Sequence, residues 1–145
     1  MGKIDHCVGL QLAQLMKAHR HCAEIALKAV GLYAGQEIIL FQLWQQNGVT
    51  QSQLVDALEV EPPTITKMLQ RMEAAGLVER RADPDDARLS RVFLTAKGRD
   101  LEAPVTEIWE RLEATLTAEL SEVELALLRR MVAQMRGKLG ECMKC

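Results

Sequence analysis

A mostly α-helical chain with one small β-hairpin is what the sequence predicts, on three observations. Apolar residues make up 48% of the 145 residues but aromatics only 3%, a balance that suits packed helices better than a sheet. Apolar positions recur in steps of three and four through most of the chain, the helical period. The exception is residues 76–98. There Gly76 stops a helix, two strand-like runs (Leu77–Arg81 and Arg91–Leu94) bracket Asp83-Pro84-Asp85-Asp86, and a new helix opens before Gly98. Asp and Pro in that order supply turn chemistry between strands.

The elements follow in order. Val8 to Val30 places Val8, Leu12, Leu15, Cys22, Ile25 and Ala26 at helical spacing, with Gly31 as the stop. Gln36 to Gln46 is more evenly apolar (Ile38, Ile39, Phe41, Leu43, Trp44) and ends at Asn47-Gly48, as expected of a helix buried on most sides. Thr50 begins a short helix through Leu58, with Gln53 completing a capping box. Glu59-Val60-Glu61 is a three-residue turn. Pro62 and Pro63 then open a second helix, since their missing N–H groups fall where no intrahelical acceptor exists. Ile65, Met68, Leu69 and Met72 form its inward stripe and leave Thr64, Thr66, Lys67, Gln70 and Arg71 outward. Two helices joined this tightly, the second bearing polar and basic side chains, make a helix-turn-helix pattern, and the hairpin after it would be its wing. From Thr95 a long helix runs through Leu101, Val105, Ile108, Leu112, Leu116 and Leu120, with a bend at Pro104. Ser121 and Glu124 form a second capping box, and Leu125, Leu128, Val132, Met135 and Leu139 make the seam of a helix that packs along a partner.

This order predicts a winged helix-turn-helix domain over 33–99, with residues 1–32 and 100–145 as a helical dimerisation region. The terminal helices have little domain of their own to cover, so their seams bury most economically against a second copy. The net charge of −2 argues at first against a nucleic-acid partner. Its distribution argues the other way. Pro62 to Arg99 holds eight Lys or Arg against five Asp or Glu, whereas Asp100 to Leu128 holds eight acids and one base, Arg111, so a positive face can exist on an acidic protein. No apolar run approaches the ~18 residues of a membrane span and no secretory h-region follows the first residues; a cytoplasmic protein without a membrane partner is expected. No nucleophile with a matched His and acid, no glycine-rich phosphate loop and no His-Glu-x-x-His pattern occurs, so enzyme activity is not expected.

Asp83-Pro84-Asp85-Asp86-Ala87-Arg88 followed by Val92-Phe93-Leu94-Thr95-Ala96-Lys97-Gly98 is similar to the wing signature of the MarR family of bacterial regulators, Asp-x-Arg and then Val-x-Leu-Thr-x-x-Gly. Upstream, Leu69 to Arg80 resembles that family's end of recognition helix and first wing strand, and the likeness covers essentially the whole chain. It implies a homodimeric winged helix-turn-helix protein that binds a pseudo-palindromic double-stranded DNA operator and usually represses. By position, Thr64, Thr66, Lys67 and Arg71 would meet the major groove, Arg88 at the wing tip the minor groove, and Arg91 the phosphates. An arginine suits the negative potential of a narrow minor groove, and Asp86 could hold its guanidinium. Lys67 fits a phosphate better than a base, because an ammonium lacks the bidentate fork. The sequence departs from the family pattern at Ala87, where a second wing arginine is frequent, at Glu59, where a turn glycine is common, and at Glu61, where Ser often caps the recognition helix.

Two kinds of signal are compatible with the remaining residues. The resemblance makes a small-molecule pocket plausible between the dimer helices and the DNA-binding lobe. His19, Arg20, Tyr33 and Trp109 could line it, a cation for an anionic group and rings for an aromatic body. Alternatively His6, Cys7, Cys142 and Cys145 could form a thiol or metal site, with ligand types suited to Zn(II) or Cu(I), or a disulfide that senses redox state. A single Cys-x-x-Cys on a chain end is weak evidence beside the common role of reduced cysteines as small hydrophobes. No cofactor is required by the pattern, and a metal ion would be optional. A winged-helix module that contacts only proteins is the remaining alternative.

Overall fold

The computed structural model of the protein describes residues 4–143. In chain order it contains α1 (Val8–Lys28), α2 (Gln36–Gln45), β1 (Val49–Thr50), α3 (Gln51–Leu58), α4 (Pro62–Ala74), β2 (Val78–Ala82), β3 (Ser90–Leu94), α5 (Ala96–Asp100), α6 (Glu102–Thr117) and α7 (Glu122–Cys142). These elements divide into two compact units, Met1–Glu110 and Arg111–Cys145, with the boundary inside α6.

The first unit is built round a core of Leu27, Leu32, Ile39, Leu40, Leu43, Leu54, Ile65, Leu69, Met72, Leu77, Val92 and Val105, all buried. On α4 the inward stripe is the expected one: Ile65, Leu69 and Met72 are buried and Met68 is half-buried. The ends of α4 explain how it is held. Glu61 stands at its N-cap without a side-chain cap bond, and Pro62 and Pro63 occupy the first two helical positions. Those prolines remove two donors that a capping serine would otherwise help to satisfy. At the other end Leu77 N donates to Met72 O at 2.9 Å and Gly76 N to Glu73 O at 2.9 Å, the paired bonds of a Schellman stop, with Gly76 supplying φ +71°. Thr50 caps α3 through the expected box, accepting from Gln53 N at 3.2 Å while its own N donates to Gln53 Oε1 at 2.8 Å. Glu59 closes α3 with φ 51°, the left-handed backbone that a glycine adopts more readily.

Two features differ from the sequence expectation. A third strand, β1, joins the hairpin, giving an antiparallel sheet of order β1-β3-β2 with Val49 opposite Val92 and Thr50 opposite Arg91. Two residues carry no periodicity, and Thr50 already serves as a helix cap, so this strand leaves no local signal. Asn47 and Gly48 deliver it: Asn47 Oδ1 accepts from Leu94 N at 2.9 Å, and a Cβ at position 48 would fall 2.7 Å from Phe93 Cε1. The single long helix from Thr95 is instead two, α5 and α6, parted at Leu101. Pro104 lies in the first turn of α6 rather than at a bend, because its ring and missing N–H are tolerated only where the i−4 carbonyl belongs to the preceding element.

The second unit holds the end of α6 and all of α7. Ser121 caps α7 with the expected box, accepting from Glu124 N at 3.2 Å while its own N donates to Glu124 Oε2 at 2.8 Å. None of the 21 residues of α7 is buried, and Val123, Leu127, Leu128, Met131, Val132 and Leu139 are exposed.

Candidate nucleic-acid interface

The outward face of α4 carries Thr64, Lys67, Gln70 and Arg71, all exposed, with Thr66 half-buried beside them. Lys67 and Arg71 have no ion-pair partner among the described residues. Of the other cations of this region Arg99 is exposed and the rest are engaged. Arg80 Nε lies 2.9 Å from Glu73 Oε2, Arg81 pairs with Glu79, and Lys97 Nζ donates to Ala75 O at 2.8 Å. The positive excess counted in the sequence is therefore concentrated on fewer free groups than the count suggests. Arg81 also lies 4.5 Å from the centre of the Phe93 ring.

The wing is ordered by its acidic residues. Asp83 is buried, and its Oδ1 accepts from Asp85 N at 2.8 Å and Asp86 N at 3.0 Å. Its Oδ2 accepts from Arg91 Nε, while Arg91 Nη1 donates to Gly48 O at 2.9 Å. Arg91, expected at the phosphates, thus braces the wing against the turn before β1. At the tip, Arg88 Nε and Nη2 lie 3.0 and 3.2 Å from the two oxygens of Asp86, and Arg88 N donates to Asp86 Oδ1 at 3.0 Å. The Arg88 side chain is nevertheless 90% exposed. It is aimed without being sequestered, and such an exposed pair is exchanged for another anion at little cost.

These contacts set the acid response of the wing. The Arg91 guanidinium, then the Asp85 and Asp86 amides, hold the Asp83 carboxyl below its usual value of 3.8, and Arg88 does the same for Asp86. A folded-state value below the unfolded one gives stability that is complete above the unfolded value and lost as pH falls through the folded one. Glu37 acts oppositely, because burial pushes its carboxyl up. Asp83→Asn keeps an acceptor for the two amides but loses the charge facing Arg91. It should flatten the loss of stability below about pH 4, measured by thermal melts across pH 2.5–7; an unchanged acid limb would show that Asp83 does not contribute it.

The family model described as "MarR family" matches residues 32–90. The transcriptional regulator HosA of Escherichia coli O111:H- is 31% identical over 125 residues, covering 86% of this chain and 91% of that protein. The chain belongs to the MarR family. Among solved structures, a probable transcriptional regulator from Pseudomonas aeruginosa is 26% identical with TM-score 0.83, covering 92% of this chain and 99% of that one. The S. aureus MepR–DNA complex is 26% identical with TM-score 0.83, covering 93% and 98%. Membership in MarR makes the chain a transcriptional regulator rather than an enzyme. No helix among the described residues is long and apolar enough to cross a membrane.

This MarR chain also has a cleft of about 210 Å³ lined by His19, Arg20, Ala23, Gly35, Glu37 and Trp109, among others. Three of the four expected lining residues meet there. Tyr33 does not line it and is 75% exposed, because the turn into α2 uses its backbone, Tyr33 N donating to Gln36 Oε1 at 3.0 Å, and leaves its ring outside. The ring of Trp109 lies 5.4 Å from that of His19 and 5.7 Å from that of Phe41, and its Nε1 is buried without a hydrogen-bond partner. Arg20 is held by Glu24 at 3.2 Å. Glu37, which sequence reasoning missed, is buried with Oε2 accepting from Gly35 N at 2.7 Å; an acid in the first turn of a helix after Gly35 was the available signal. Cys7, Cys22 and Cys142 are free and exposed. His6 and Cys7 belong to the first unit and Cys142 to the second, while Cys145 lies outside the described residues. Among the described residues no group of three or more His, Cys, Asp or Glu is placed to hold a metal.

Proposed function

We propose that the protein is a homodimeric repressor that sets α4 into the major groove of a pseudo-palindromic operator and Arg88 into the adjoining minor groove, and is released by a small molecule. The observation that carries this reading is the face of α4, where Lys67 and Arg71 stand exposed and unpaired beside Thr64 and Gln70. Free cations on a helix of this kind gain phosphate contacts without first giving up an internal partner. The S. aureus MepR structure, a DNA complex, supports the same use of the fold. Dimerisation is supported by α7, none of whose apolar residues is buried among the described residues. The terminal helices would then serve as the dimerisation region, and residues 33–99 as the DNA-binding domain.

The cleft supports a small effector. Its volume is below the ~300–1,000 Å³ of drug-sized sites, which suits a single aromatic ring. Arg20 offers a cation to an anionic substituent, and the Trp109 indole offers a ring to an aromatic body.

Fluorescence anisotropy on duplexes recovered from a random library tests the reading. Binding should weaken steeply with salt, and light scattering should give the mass of a dimer. A single-subunit mass, or no salt-sensitive binding to any duplex, overturns it. Small aromatic anions should release the duplex from the wild type. Trp109→Ala, which removes the ring, should need roughly tenfold more; an equal response would remove Trp109 from the site.

A further inference from the structure

A directed chain of hydrogen bonds runs from the wing to the groove-facing helix. Glu73 Oε2 accepts from Arg80 Nε at 2.9 Å, and Arg80 Nη1 donates to Gln51 Oε1 at 3.3 Å. Gln51 Nε2 donates to Thr66 Oγ1 at 2.7 Å, and Thr66 Oγ1 donates to Pro62 O at 3.0 Å. The direction is fixed at each link. A guanidinium only donates, so Arg80 holds Gln51 with its oxygen toward β2 and its amide nitrogen toward α4. That nitrogen also only donates, so it occupies one lone pair of Thr66. The single hydroxyl proton goes to the Pro62 carbonyl, which only accepts. Thr66 is left with one lone pair and its γ-methyl.

We infer that Thr66 is a specificity-determining residue that reads an A·T pair, and that Gln51 and Arg80 are positioning residues that fix its hydroxyl as an acceptor. This rests on the DNA-binding reading above. In the major groove only adenine N6 and cytosine N4 offer donors, and only thymine offers a methyl. A lone pair beside a methyl matches the adenine amino group and the thymine methyl of one A·T pair together. Guanine presents only acceptors on that edge, and an acceptor facing an acceptor is repelled; cytosine offers an amino donor but no methyl. With its proton committed to Pro62, Thr66 cannot turn to satisfy guanine as an unconstrained threonine would.

The test compares wild type, Thr66→Val and Gln51→Leu on a randomised duplex library, sequencing the bound fraction, with salt titrations on the selected duplex. Wild type should select one A·T pair per half-site in the groove facing α4, and its replacement by G·C should weaken binding about tenfold. Thr66→Val, which keeps a methyl but has no acceptor, should weaken that preference. Gln51→Leu should extend it to guanine, because without the Gln51 amide the Thr66 side chain can turn about χ1 away from Pro62 O and free its proton. Neither variant should change the salt slope, whereas a residue needed only for packing would lower affinity for all sequences alike. If both variants keep the wild-type preference, or wild type shows no A·T selection at that position, the inference is overturned while DNA binding stands. If wild type binds no duplex in a salt-sensitive way, the underlying reading fails instead. Should Gln51→Leu not fold, Thr66→Val decides alone, since it keeps the volume of a half-buried side chain.

Discussion

Gly98→Ala should lower the stability of the first unit by about 3–5 kcal/mol and its melting temperature by roughly 10–20 °C. A Cβ at this position would be driven into the carbonyl oxygen of Leu77, with Leu94 Cδ2 at 3.1 Å on the other side. The backbone oxygen cannot retreat, because it accepts from Thr95 N at 3.1 Å and Thr95 Oγ1 at 3.0 Å. Gly98 cannot retreat either: its own oxygen accepts from Trp44 Nε1 at 3.0 Å, and its N donates to Thr95 Oγ1 at 3.1 Å. Relief of the clash therefore breaks hydrogen bonds that tie α5 to the stop of α4 and to α2. Gly76→Ala is the informative contrast. It meets nothing within 4 Å but requires φ +71°, so it should cost only about 1–2 kcal/mol. Calorimetry on both separates crowding from backbone strain. Equal, small losses would show that α5 does not sit against the Gly76–Leu77 turn as described.

In the proposed dimer, Arg88→Ala should reduce duplex affinity about 100-fold, on the order of tenfold for each of two subunits, while leaving the melting temperature and the mass in solution unchanged. The side chain is almost wholly exposed and its partner Asp86 lies on the same loop, so nothing in the core depends on it. Its Asp86 pair places the guanidinium but contributes little that a groove would not replace. The salt slope should fall by about one per subunit. The neighbouring Ala87 carries no charge, so it cannot compensate. Anisotropy titrations at several salt concentrations decide the matter, and undiminished affinity would remove the wing tip from the interface.

Much of this was legible in the sequence because the causes are local. The caps at Thr50 and Ser121 need only a Gln or Glu three residues on. The Pro62-Pro63 start, the Gly76 stop and the Asp83-Pro84 turn each act within a few residues, and the Asp86–Arg88 pair spans two. The stripe of α4 follows from helical period alone. What escaped was long-range. Nothing in a two-residue strand announces β1, and no spacing links Arg80 to Gln51 or Arg91 to Gly48, since partners 29 and 43 residues apart meet only when the sheet closes. Charge counting went astray for that reason: it could not know that Arg80 and Arg91 serve the fold while Lys67 and Arg71 remain free.

By itself, then, the sequence determined the order of the helices as far as the wing, the caps at Thr50 and Ser121, the position of the wing and the family, because propensity, capping and turn chemistry are decided between near neighbours. Only the tertiary structure decided which polar groups are already satisfied: Asp83 buried and braced by Arg91, Thr66 with its hydroxyl committed, Trp109 with its indole N–H unmet, Tyr33 outside the cleft. The physical reason is that hydrogen-bond capacity is limited and exclusive. A side chain's availability to a ligand depends on every partner that folding brings within reach, and those partners come from distant parts of the chain.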